Sequence, residues 1–292
     1  MFPRRWPLVP ATAVLLAAFF MSSGMSAGAA HSATPVQGSI LLQPSDAQGN
    51  AIPDSTYYQI SARPGSFSVL YALIGNSGRS KERIALAAVD AGSGVYGGIS
   101  YNLPGSARRH AGAWLALSKA RLSVPPGVGR VVSIAVRVPQ RVAPGQYIGG
   151  VTAYSQAQST SHSRRRGRSG SLQIQFRRVV AVLITVPGPQ HARFTVRRVS
   201  AKRRPDATYI LAHIKNIGNT LSKCRGTLWV WKIGKRKAII TAHLSLGVTV
   251  PHTTVHYPVF WSKRPSSGVY HFRVRVWWAG GASVRDGHAR IK

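Results

Sequence analysis

The chain has 292 residues, 44% of them hydrophobic, enough for two folded units of roughly 100–150 residues with separate cores. Its charge is the anomaly: 39 Lys and Arg stand against 6 Asp and Glu, a net charge of +33. Such an imbalance calls for an acidic partner, whether wall polymer, nucleic acid or lipid surface, or for an acidic habitat. The acids are Asp46, Asp54, Glu82, Asp90, Asp206 and Asp286, and no two are close in sequence. That scatter excludes an all-oxygen calcium cage and a carboxylate-pair glycosidase. The lone cysteine, Cys224, excludes an internal disulfide framework and is expected as a small buried residue in a strand.

Residues 1–29 read as a secretory signal peptide. Arg4 and Arg5 form a basic front, Ala11 to Met21 the apolar middle, and Ala27-Gly28-Ala29 a small-residue cleavage site. The apolar run is about half the ~20 residues that span a bilayer. No cysteine follows it to take a lipid, and no later stretch reads as a spanning helix. The expected location is extracellular, at the cell wall or cell surface, with no transmembrane segment after signal cleavage.

Strand signals then come at short intervals, with no amphipathic helix among them. Ile40-Leu41-Leu42 suits an edge strand. Further strands are predicted over Thr56–Ala62, Gly65–Asn76, Glu82–Ala91, Gly112–Ser118, Ala120–Val124, Arg130–Val138 and Gln146–Ala157. Turn chemistry separates them: Arg63-Pro64-Gly65, Asn76-Ser77-Gly78, Pro125-Pro126-Gly127 and Pro144-Gly145. In Arg130–Val138, Val132, Ile134, Val136 and Val138 alternate with Ser133, Ala135 and Arg137, the period-two pattern of a half-buried strand. In the strand after Pro144-Gly145, Gly149-Gly150 leaves room for another backbone or a bulky neighbour. A Ser/Arg-rich loop over 156–169 carries Arg164-Arg165-Arg166-Gly167-Arg168. A single long strand, Gly170–Val186, is expected to close the first domain, with Pro187-Gly188-Pro189 as a hinge.

The second domain is predicted from Arg193. Its seven strands are Arg193–Val199, Thr208–Asn216, Gly226–Ile233, Lys237–Leu244, Thr253–Trp261, Gly268–Trp278 and Ala282–Ile291. The last but one alternates a core face (Tyr270, Phe272, Val274, Val276) with a basic and aromatic one (His271, Arg273, Arg275, Trp277). Asn216-Ile217-Gly218-Asn219 echoes Asn76-Ser77-Gly78, which suggests two sandwiches of one general kind. The fold class is therefore all-β: two tandem immunoglobulin-like β-sandwiches after a signal peptide. The domains fall at 30–186 and 193–292, joined by a linker over 187–192.

The first domain resembles the peptidoglycan-binding domain of WxL-interacting proteins of Gram-positive cell surfaces. The resemblance runs from about Gly38 to Val186. It is carried by Arg63-Pro64-Gly65, Leu73-Ile74-Gly75-Asn76-Ser77-Gly78, Val89-Asp90-Ala91, Gly98-Ile99-Ser100-Tyr101, Ala113-Trp114-Leu115, and Val138-Pro139 followed by Pro144-Gly145-Gln146-Tyr147-Ile148-Gly149-Gly150. It implies non-catalytic binding at the envelope, with peptidoglycan or anionic wall polymer as ligand and a WxL-type surface protein as a further partner. It also directs attention to Asp90, Tyr101 and Trp114; for Asp90 a turn-stabilising hydrogen bond is the competing role.

Arg164, Arg165, Arg166 and Arg168 suit bidentate binding of phosphate or carboxylate, against the plainer reading of a solvated loop. Trp229, Trp231, Trp261, Trp277 and Trp278 stand among Lys232, Lys235, Arg236, Lys237, Arg273 and Arg275. They are either stacking platforms for sugars or bases, or ordinary sandwich core. His252 and His256 share a strand face, but too few further ligand types accompany them for a metal. No cofactor, no metal and no catalytic group is expected. A secreted nucleic-acid-binding protein is the second reading, favoured by charge alone.

Overall fold

Alternation converts directly into burial: Val132, Ile134, Val136 and Val138 are all buried, while Ser133, Ala135 and Arg137 lie on the other face. The computed structural model describes residues 39–155, 159–165, 168–203, 207–261 and 265–291; side chains over 159–174 and at 202–203 lie outside that description. The expected signal peptide falls outside the described residues. Among the described residues nineteen strands follow in order. The first twelve are β1 (Ile40–Ser45), β2 (Tyr58–Ser61), β3 (Phe67–Asn76), β4 (Glu82–Ser93), β5 (Ile99–Tyr101), β6 (Leu115–Leu117), β7 (Arg121–Val124), β8 (Gly129–Arg137), β9 (Gly145–Ser155), β10 (Ser159–Arg165), β11 (Arg168–Ile174) and β12 (Arg177–Val186). The remaining seven are β13 (Phe194–Arg203), β14 (Thr208–Asn216), β15 (Ser222–Lys232), β16 (Ile240–Thr249), β17 (Thr254–Trp261), β18 (Gly268–Trp278) and β19 (Gly281–Ile291).

They build two β-sandwiches. In the first, a sheet ordered β1-β3-β8-β6 faces one ordered β2-β12-β9-β4-β5, with β7 also on β4. In the second, β13-β14-β17 faces β16-β15-β18-β19. Each has its own core, one centred on Ile74, Ile134, Val182 and Ile184, the other on Ile210, Leu228, Phe272 and Val274. Pairing repeats strand for strand: β1-β3-β8 with β7-β4-β9-β12 corresponds to β13-β14-β17 with β16-β15-β18-β19. The first sandwich adds β2, β5, β6 and the β10–β11 hairpin. That hairpin stands between β9 and β12, where the second sandwich has only a short turn between β18 and β19.

Two strand predictions need correction. Gly170–Val186 is not one strand: the chain breaks at Gln175-Phe176, and Phe176 is exposed. β12 pairs with β9 only from Arg177 opposite Tyr154 onward. Residues before that have outrun β9 and pair with β10 instead, so the expected loop over 156–169 contributes a strand, with Arg165 opposite Arg168. Gly112–Ser118 is also not a strand throughout. Residues 111–114 form a 3-10 turn, and only Leu115–Leu117 pairs, with β8.

The sandwiches meet through hydrogen bonds as well as packing. Gln146 donates from its backbone N to the Asn219 carbonyl at 2.7 Å, and its Oε1 accepts from the Leu221 N–H at 2.8 Å. The Ser93 and Thr253 hydroxyls are 2.6 Å apart, and the Val250 N–H donates to Ser93 Oγ at 2.9 Å. An apolar cluster of Ala91, Ile148, Leu183 and Val250 fills the joint. Gly97 and Gly247 touch so closely that a Cβ on Gly97 would lie 2.5 Å from the Gly247 nitrogen. Beside the joint lies a cavity of about 380 Å³, lined in part by His110, His191 and His252.

Candidate polyanion-binding face

Antiparallel register assembles a surface that no single strand contains. On the outer face of the second sandwich, β15 lies between β16 and β18, and β19 flanks β18. Trp231 is opposite His271, which is opposite His288; Trp229 is opposite Arg273, which is opposite Asp286. The next rows are His243–Thr227–Arg275–Val284 and Ser245–Arg225–Trp277–Ala282. The intervening residues Leu228, Val230, Phe272, Val274 and Val276 are fully buried. Strand alternation therefore sends every aromatic and basic side chain of these rows outward.

The Trp231 ring stacks on His271 at 5.3 Å and 26°, and His271 lies 5.0 Å from the His288 ring. Trp229 and Trp231 are half-buried, and Trp277 is 39% exposed. The tryptophans therefore divide between the two roles weighed above. Trp261 is core, edge-on to Tyr270 at 5.4 Å, and Trp278 packs on Phe194 at 5.7 Å. A groove of about 380 Å³ at one end is lined by Trp231, Lys232, Lys235, Arg236, His271 and His288. Another of about 510 Å³ at the other end is lined by Lys223, Arg225, Ser245, Leu246, Trp277 and Trp278.

Electrostatically the face is almost uncompensated. Asp286 is its acid: the Arg273 Nε–H bonds Oδ1 at 2.7 Å and His271 Nε2 is 3.2 Å away. The Arg273 hydrogen bond, with His271 adding to it, holds that carboxyl below its ordinary 3.8. Among the described residues these are the ion pairs of the protein. Arg225 and Arg275 are exposed without a carboxylate beside them.

The residues singled out from the sequence fall in two places. Asp90 is buried at 4% exposure, and its carboxylate accepts the backbone N–H groups of Arg109 (2.6 Å), His110 (3.2 Å) and Gly112 (2.8 Å). It gathers the loop that turns into 111–114, where Trp114 sits against Tyr147 at 4.7 Å. Tyr101, on β5, covers Gly150, and burial pushes its hydroxyl pKa up to about 12. Gly149 meanwhile faces the Gly112 and Ala111 backbone, so the glycine pair accommodates both a backbone and a ring. Tyr101 therefore packs with Ala91, Ile148 and Leu183 on one face of the sheet, while Trp114 packs against the core on the other, so Asp90, Tyr101 and Trp114 do not form one face. Arg164, Arg165 and Arg168 lie at the turn end of the β10–β11 hairpin, while Arg166 lies outside the described residues. Arg177 donates to the Asn102 carbonyl at 2.7 Å and the Tyr101 carbonyl at 3.2 Å, pinning β5.

Cys224 is buried in β15, and burial pushes its thiol up to about 12, an inert form at neutral pH. The described residues contain no group of three or more His, Cys, Asp or Glu placed to hold a metal. Ser200 Oγ lies 2.9 Å from His213 Nε2, with the His256 ring 4.5 Å from His213. No carboxylate orients either imidazole among the described residues. The sequence names Trp229 and Trp231 on β15 and the outward residues of β18, but not Arg225 or His288. Their signal lies in register across three strands, which composition does not carry.

No protein-family model and no curated protein matches this chain. Solved structures of chaperones are similar. The CsuC–CsuE chaperone–tip adhesion subunit complex of Acinetobacter baumannii aligns at 10% identity over 75% of this chain and 90% of that one, with a TM-score of 0.38. The Pseudomonas aeruginosa CupB2 chaperone aligns at 10% identity over 80% and 98%, with a TM-score of 0.32. The E. coli chaperone DraB aligns at 13% over 87% and 98%, with a TM-score of 0.33. Likeness at this level concerns β architecture and carries no partner or activity to this chain. Among the described residues no helix is long and apolar enough to cross a membrane.

Proposed function

We propose that this chain is an exported, non-catalytic protein of the cell envelope that binds anionic wall material, with a WxL-type surface protein as a further partner. One observation carries the reading: a net charge of +33 with ion pairs only at Asp286 among the described residues. Cations without internal partners draw their counter-charge from outside. Arg225, Arg275, the hairpin arginines Arg164, Arg165 and Arg168, and Arg166 next to them in sequence, supply guanidinium forks for phosphate or carboxylate. In the first sandwich Tyr101 and Trp114 remain candidates for wall contact, whereas the Asp90 carboxylate is taken up by the N–H groups of Arg109, His110 and Gly112. Nucleic acid is the second reading, favoured by aromatic rings beside arginines on the same face.

A competition pull-down tests this. The protein is loaded on purified wall, on wall stripped of anionic polymer, and on each with excess DNA. Expected are retention on intact wall in excess DNA and weakening as salt rises, since screening shortens from about 10 Å at 0.1 M to about 3 Å at 1 M. Replacing Arg164, Arg165, Arg166 and Arg168 with serine should weaken retention without moving Tm. Complete displacement by DNA, with no retention on stripped wall, would hand the case to the nucleic-acid reading.

A further inference from the structure

The outer face of the second sandwich has two tryptophan-anchored basic grooves, one at each end, with arginines between. Trp231 pairs with His271, and Trp277 follows His271 by six residues along β18. At about 3.4 Å per residue, the two platforms are roughly 20 Å apart. Arg225, Arg273 and Arg275 lie on the path from one to the other, and Asp286, already held by Arg273, is the one acid on it. Lys232, Lys235 and Arg236 extend the charge beyond Trp231, and Lys223 extends it beside Trp277.

Resting on the polyanion reading above, we infer that this face binds an extended anionic polysaccharide, one sugar ring stacked at Trp231, another at Trp277, with acidic groups of the intervening units on the arginines. Charge alone would serve any polyanion. Two flat rings set into a sheet, spaced several units apart and both flanked by cations, add a requirement for ring faces at a fixed separation. A short oligomer occupies one platform; a longer one occupies both, and the second contact forms at high effective concentration. Single-stranded nucleic acid offers ring faces too, but it is read by stacking successive bases. Here the end platforms are roughly 20 Å apart, with Arg225, Arg273 and Arg275 and the half-buried Trp229 between them, a spacing that a stack of successive bases does not require.

The test uses the whole mature chain and three probes: α-1,4-linked galacturonate oligomers from dimer to decamer, polyphosphate of matched charge, and an oligothymidylate of matched charge. The galacturonate decamer is expected to bind at least about tenfold more tightly than the dimer at equal carboxylate concentration. Trp231→Ala or Trp277→Ala each returns it to nearly the dimer's affinity, and polyphosphate binding is indifferent to both changes. Arg225→Ser with Arg275→Ser weakens all three probes while leaving the tryptophans and their fluorescence in place, which separates lost charge from lost fold. Dimer and decamer binding alike, or tryptophan variants without effect on the decamer, overturns the bridging site while leaving polyanion binding intact. Tighter binding of oligothymidylate that depends on both tryptophans overturns it in favour of nucleic acid. No binding to any probe overturns this inference and the reading beneath it together.

Discussion

Asn76 and Asn216 make the same hydrogen bonds from the same position in the two sandwiches. Each ends a strand, β3 or β14, and each is buried. Each Nδ2 donates to the carbonyl four residues on, Ser80 at 2.7 Å or Thr220 at 2.9 Å. Each also donates to the carbonyl closing a neighbouring strand, Val124 or Thr249, at 2.9 Å. Each Oδ1 accepts the N–H two residues on, from Gly78 at 2.8 Å or Gly218 at 3.0 Å. Backbone bonds repeat as well: Asn76 with Gly127 and Val128, Asn216 with His252 and Thr253. An amide side chain can donate twice and accept at once, which neither Asp nor Leu of similar volume can do.

Replacing Asn216 with Ala would strand two buried carbonyls and one N–H. With about 1–3 kcal/mol for each buried group left unsatisfied, partly relieved by water, a loss on the order of 3 kcal/mol is expected. Urea unfolding of Asn216→Ala and Asn76→Ala should show comparable losses, because the two networks are the same. A loss below about 1 kcal/mol at both positions would mean that the network is not what closes the corner.

The turns beneath these asparagines are also equivalent, and one residue breaks the pattern. Gly127 has φ +70°, and His252 at the matching position has φ +63°. Glycine adopts this region freely, whereas a side chain costs about 1–2 kcal/mol. His252→Gly is therefore expected to raise stability by about 1 kcal/mol, offset by the greater entropy of a glycine in the unfolded chain. Gly127→Ala should lower it by about 1 kcal/mol, although a Cβ there would meet no atom. Thermal unfolding of the two variants should move in opposite directions.

How much of this was legible in the sequence follows from what period-two patterning can and cannot encode. Alternation of Val132, Ile134 and Val136, and of Tyr270, Phe272, Val274 and Val276, announces strands and names the buried face. The Asn76 and Asn216 echo was visible, but its content was not, because the carbonyls of Val124 and Thr249 are 48 and 33 residues away. The break at Gln175-Phe176 was hidden for a similar reason. Both halves of Gly170–Val186 are apolar on alternate positions, and only the end of β9 at Ser155 decides where pairing stops. Gly112–Ser118 misled because Asp90, 22 residues upstream of Gly112, takes its N–H and bends the chain into a 3-10 turn. Trp231, His271 and His288 are brought together by register across β15, β18 and β19, which no local pattern records.

Pro187-Gly188-Pro189 reads as a hinge, yet the segment is tied at both ends of its polar chemistry. Asn219 Nδ2 donates to the Pro189 carbonyl at 2.8 Å and the Pro144 carbonyl at 3.0 Å, and its Oδ1 accepts the His191 N–H at 2.8 Å. Proteolysis within 187–193 is therefore expected to be slow in the parent chain. Asn219→Ala should accelerate cleavage there several-fold while leaving each sandwich resistant. Equal cleavage rates in the two proteins would show that the packed joint, not Asn219, protects the linker.

Acid should weaken the fold in two separate windows, and His213 governs the upper one. It is buried, and burial first, then His256 and Arg198, lowers its pKa below the ordinary 6.5. The groups facing it are Ser200, which shares a hydrogen bond with Nε2, the His256 ring and the Arg198 guanidinium. Neutral in the folded chain and ordinary in the unfolded one, His213 gives the unfolded state the greater proton affinity. Stability is then unaffected well above pH 6.5, falls as pH drops below 6.5, and levels off once pH passes below the folded value. His252, lowered by burial and by Lys215 and His110, pushes in the same direction. Asp46 and Asp286 have folded values below 3.8, so their contribution is present above 3.8 and is lost only as pH falls through those lower values. Urea midpoints measured from pH 8 to pH 5 should therefore decline before Asp46 or Asp286 titrates. His213→Gln keeps a hydrogen-bonding side chain beside Ser200 without a titrating ring, and it should flatten that decline while leaving the step below pH 4 in place. An unchanged slope between pH 7 and pH 5 in His213→Gln would move the origin of the upper window to other imidazoles, His252 first.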